Sequence, residues 1–69
     1  MSKPNVSEQI EALIDATSLL DVLTALELVT GEKALHIVEN WQDAPLAKRW
    51  DKASRIIGKA MREIDPLDI

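Results

Sequence analysis

The side chains with the widest chemical reach are Glu32, His36 and Glu39. On a helix they lie at i, i+4 and i+7, so two carboxylates and an imidazole share one side. Such a donor set could hold a divalent cation. In di-metal helical bundles, however, several helices pool these residues inside the bundle. Here the trio falls on a polar face, and His36 is the only histidine. The simpler reading is a solvated imidazole beside two acids, and no metal site is assigned. Nucleophilic catalysis has less to draw on, because the chain contains neither cysteine nor tyrosine. Ser7 and Ser18 fall near helix starts and Ser54 within a helical stretch. None is spaced to meet a base and an orienting group. There is no glycine-rich phosphate loop, and a chain of 69 residues struggles to enclose a ligand pocket of about 300 Å³ or more. The expectation is a non-enzymatic protein without a cofactor.

A second constellation is electrostatic. The net charge of −4 conceals an asymmetry: residues 1–43 carry −6 and residues 44–69 carry +2. At 100° per residue, Lys48, Lys52, Arg55, Lys59 and Arg62 fall in a stripe about 80° wide. A row of like charges repels itself and gains from an anionic partner. A phosphate backbone, an acidic protein surface or the acidic part of a second copy would each serve. The competing reading is a solvated helix face, with Asp51/Arg55 and Lys59/Glu63 at the i,i+4 spacing that supports a helix.

These groups must be positioned by helices. Eight alanines and nine leucines sit among Glu, Lys and Arg, with two glycines and no Phe or Tyr. That composition favours helix over sheet. Asn5 followed by Glu8 fits a capping-box start, and Val6, Ile10, Leu13 and Ile14 recur at helical spacing, giving a first helix over 6–16. Thr17-Ser18 predicts a break, with Ser18 and Asp21 as a second capping pair; a continuous helix through Ser18 is the alternative. Leu19, Val22, Leu23, Leu26 and Val29 mark a second helix, which Gly31 could close in a left-handed conformation. A third follows, with Ala34, Ile37, Val38 and Trp41 on one face. Asp43 and Pro45 suit the first turn of a fourth. That long amphipathic helix runs over 44–64, with a stripe of Leu46, Trp50, Ala53, Ile57, Ala60, Met61 and Ile64. Asp65-Pro66 ends it.

Two helices flanking Gly31 also permit a helix-turn-helix reading. The second of them would enter a major groove and touch phosphates, but its outward residues are Glu32, Lys33, His36, Glu39 and Asn40. More acid than base there opposes duplex binding.

The expected fold is therefore all-α, a compact bundle of three to four helices. The single helical domain covers 5–65, between a flexible tail at 1–4 and a short one at 66–69. Helices two and four should supply most of the core, with Trp50 mostly buried and Trp41 partly so. No stretch near eighteen apolar residues suggests a membrane span, and no secretory leader is evident, so a cytoplasmic protein is expected. A chain this short buries only about 60% of its unfolded surface. Without disulfides or a metal it relies on tight helix packing or self-association. Leu20 and Leu28 fall outside the main stripe of helix two, as they would on a central helix or one shared with another subunit. The leading functional expectation is a protein–protein interaction or adaptor module, plausibly a homodimer. Its candidate contacts are Leu20, Leu28 and the basic stripe Lys48, Lys52, Arg55, Lys59 and Arg62. Two alternatives stand beside it: a nucleic-acid-binding regulator using that stripe, and an acidic inhibitor that occupies a basic partner surface.

Overall fold

The computed structural model describes residues 5–40 and 42–69. These form three helices, α1 (Val6–Ala16), α2 (Leu19–Asn40) and α3 (Ala44–Ile64), followed by a 3-10 turn over Asp65–Leu67. No strand occurs among the described residues. The expected tail at 1–4 and the face assigned to Trp41 lie outside them.

The ends of the helices follow from local chemistry. Asn5 Oδ1 accepts from the Glu8 amide at 2.8 Å, Ser18 Oγ from Asp21 at 3.0 Å, and Asp43 Oδ1 from Leu46 at 3.1 Å. Each satisfies an amide that has no partner within its own helix. The break between α1 and α2 falls at Thr17-Ser18, where Thr17 leaves helical geometry (φ −128°, ψ −99°) and its amide closes on the Leu13 carbonyl. A continuous helix through Ser18 is thereby excluded. Pro45 stands in the first turn of α3, and Asp68 ends the 3-10 turn in the left-handed region.

One boundary differs from expectation. Gly31 closes nothing: α2 runs unbroken from Leu19 to Asn40, and no described glycine has positive φ. The second and third expected helices are one, and the helix-turn-helix reading falls with the turn. The reason is tertiary. Leu20, Leu23, Glu27, Thr30, Ala34 and Ile37 recur at alternating steps of three and four, and this seam passes through residue 31 without a change of phase.

The seam packs against α3 as an antiparallel hairpin. The buried side chains are small or medium: Thr30, Ala34 and Ile37 from α2, and Ala47 from α3, with Gly58 also buried. Ser54 Oγ donates across the interface to the Glu27 carbonyl at 3.0 Å. The Thr30 hydroxyl returns to its own helix, donating to the Leu26 and Glu27 carbonyls. Small residues on both sides let the two backbones approach closely. The Glu27 carboxylate rests over Gly58, where a methyl group would collide with it.

Helix α1 rests on the N-terminal half of α2 and buries none of its residues. The resulting bundle is open. Its radius of gyration is 14.4 Å, where about 11 Å is typical of a compact chain of this length. The Cα extents of 39 × 38 × 13 Å describe a thin, angular molecule. No large side chain among the described residues is fully enclosed.

Candidate interaction surface

The surface of interest arises from how α2 meets α3. On α3, Ala47, Ser54 and Gly58 point at α2, whereas Leu46, Trp50, Ala53, Ile57, Ala60 and Ile64 advance by fours and threes along a neighbouring line. At 100° per residue the two lines are about 100° apart. Helix α2 therefore covers one edge of the apolar face of α3, and that edge holds the small residues. The large ones remain at the flank, all half-buried. Trp50, expected to be mostly buried, is among them. Lys33 Nζ of α2 stands 6.0 Å from its ring centroid, the outer limit of cation–π attraction.

On the same flank α2 contributes Leu19, Leu23 and Leu26, the first two half-buried and the last exposed. Beyond them stands α1. Between α1 and α2 opens an apolar cleft of about 280 Å³ lined by Ile10, Leu13, Val22, Ala25, Leu26 and Val29. Leu13 is 55% exposed and Val6 70%.

The opposite flank of the hairpin is different. A shallow groove of about 390 Å³ is lined by Gly31, Ala34, Leu35, Val38, Ala47, Lys48 and Asp51, so its apolar floor carries charges on one rim.

The residues singled out from sequence do not converge on one place. Lys48, Lys52, Arg55, Lys59 and Arg62 are all exposed on α3, with Lys48 and Arg62 at the rims of hollows beside the hairpin seam. Arg55 Nε pairs with Asp51 Oδ2 at 3.0 Å, while Lys59 and Glu63 form no ion pair. Leu28 is exposed, at 62%. Leu20 is half-buried and belongs to the seam, lining a hollow with Glu27, Gly58 and Met61. Its place became clear only once α2 was continuous, because the seam is read over six turns rather than three. The sequence pattern reads the Trp50 stripe as core, whereas its residues are only half-buried. The available signal was the mismatch in size between the seam and stripe residues of α3.

His36 Nδ1 lies 3.0 Å from the Asn40 amide nitrogen, which also donates to the His36 carbonyl. No group of three or more candidate metal ligands gathers among the described residues. Among the described residues no helix is long and apolar enough to cross a membrane. No family model, curated protein or solved structure matches the chain.

Proposed function

We propose that the chain is a non-enzymatic helical interaction module that works as a homodimer joined through the flank carrying Leu46, Trp50, Ile57 and Ile64. The observation that carries this reading is the extent of surface. A folded monomer of 7.7 kDa exposes about 4,300 Å²; this chain exposes 5753 Å², an excess of about 1,400 Å² by the same scaling. A standard interface hides about 800 Å² per partner, and obligate homodimers hide more. Association over the flank would return the exposed surface to the range of an ordinary folded protein. The make-up of the flank supports this, since interface centres are aromatic and aliphatic with charge kept at the rim. Light scattering over a dilution series tests it. The expected mass is twice that of the chain at high micromolar concentration and falls on dilution. A constant single-chain mass throughout excludes the homodimer.

A second reading rests on the basic stripe. Of its five cations only Arg55 has an acidic partner among the described residues, which leaves four available to phosphate. On this reading labelled single-stranded or duplex nucleic acid binds at low salt and is released steeply as salt rises. Reversing Lys52, Lys59 and Arg62 to glutamate abolishes that binding. No binding at low salt removes the reading.

A further inference from the structure

We infer that the surface of the second copy seated on the Trp50 flank is that same flank, with α3 packed antiparallel on the partner's α3 about a two-fold axis at the level of residues 55–56. The inference rests on the homodimer reading above and adds to it the element, direction and register of the contact. Three observations on α3 lead to it.

The first is the angle between its two contact lines. Ala47, Ser54 and Gly58 face α2, and the flank stripe lies about 100° round the helix from them. A helix in a square four-helix bundle has two neighbours, roughly a right angle apart. Helix α2 fills one of these places. The other is open along the length of α3, and a second hairpin supplies the helix that fills it.

The second is the order of sizes along the stripe. Leu46, Trp50, Ala53, Ile57, Ala60 and Ile64 advance by alternating fours and threes, the spacing of a coiled-coil seam. Reversed end to end, the stripe sets Leu46 against Ile64, Trp50 against Ala60 and Ile57 against Ala53. The two bulky middle residues each meet an alanine, so large side chains enter the spaces that small ones leave. A parallel pair in register would instead press Trp50 on its own copy and leave a gap between the two copies of Ala53. A line that complements its own reverse is what an isologous two-fold contact requires.

The third is the rim. Arg49, Ile56 and Glu63 recur at heptad spacing along the edge of the stripe away from α2, about 80° from its centre line. All three are exposed, and neither Arg49 nor Glu63 has an ion pair among the described residues. The same reversal, centred one residue along, sets Arg49 of each chain against the partner's Glu63 and Ile56 against its own copy. Ile56, 59% exposed in the single chain, is thereby covered at the axis. A parallel pair would face Arg49 with Arg49 and Glu63 with Glu63. Charge at the edge of the contact therefore selects the same direction as size does at its centre.

The absence of cysteine makes site-specific cross-linking clean. Arg49→Cys and Glu63→Cys are prepared as separate chains, and both positions are exposed, so the fold persists. Each chain alone and an equal mixture of the two are treated with a short bis-maleimide, and light scattering establishes the mass of the same samples. The expected result is a dimer whose chains become linked in the mixture and in neither chain alone. Residues 49 and 63 meet across the axis, whereas each stands about 20 Å from its own copy. Linking of each chain with its own kind overturns the antiparallel register and leaves self-association standing, as does a dimer linked in no sample. A monomer at every concentration overturns both. Charge reversal is the second measurement. Arg49→Glu weakens association by about tenfold, because two rim attractions become repulsions. Adding Glu63→Arg to the same chain restores it, although the two residues lie about 21 Å apart along one helix and cannot pair there. A double variant as weak as the single one overturns the register.

Discussion

At the scale of single residues, the helix starts were legible and the role of Gly31 was not. Asn5, Ser18 and Asp43 act on amides three residues away, so their chemistry is contained in short stretches of chain. Glycine permits a left-handed turn without requiring one, and whether residue 31 turns depends on α3. In the hairpin it is helical, and an added Cβ would meet only Ser54 Oγ at 3.5 Å, an ordinary contact. Gly31→Ala is therefore expected to stabilise the protein by about 0.5–1 kcal/mol, the helix-interior difference between the two residues. A higher urea midpoint with an unchanged slope checks this; a lower midpoint would place residue 31 in a turn after all. Gly58→Ala should gain less, because its methyl displaces the Glu27 carboxylate. Ser54→Ala removes the hydroxyl that bridges to the Glu27 carbonyl and should cost about 1 kcal/mol, measured in the same titration.

At the scale of helices, periodicity identified α1 and α3 with their bounds because each has a single polar and a single apolar side. Helix α2 resisted the same treatment. Its apolar residues serve two neighbours, with Val22, Leu26 and Val29 towards α1 and Thr30, Ala34 and Ile37 towards α3. Two overlapping stripes blur one another, and the seam towards α3 contains Glu27 and Thr30, which no hydrophobic pattern marks. The helices also differ in how firmly they are held. Protection of an amide from exchange follows the burial and packing of its helix. Amides of Thr30–Ile37 and Ala47–Gly58 are expected to exchange slowest, and those of α1 fastest, in dilute solution. Uniform protection across the three helices would contradict the open fold.

At the scale of the whole molecule, the all-helical class was legible, and the open shape was not. Composition reports how much apolar surface a chain carries, and says nothing of whether one copy suffices to cover it. The geometry offers two uncovered flanks of the hairpin, and they can be told apart by placing the same charge on each. Ala53 sits in the middle of the Trp50 flank, half-buried, with room for a carboxylate to reach water in an isolated chain. Leu35, 59% exposed, stands on the opposite groove. Ala53→Asp is expected to leave the helical circular-dichroism signal of dilute protein in place. On the proposed interface it weakens the dimer by a hundredfold or more, about 3 kcal/mol, because an unpaired charge would be buried there. Leu35→Asp should leave the dimer intact. The reverse outcome, with Leu35→Asp monomeric and Ala53→Asp dimeric, would move the interface to the Leu35–Val38 groove and leave Trp50 half in water.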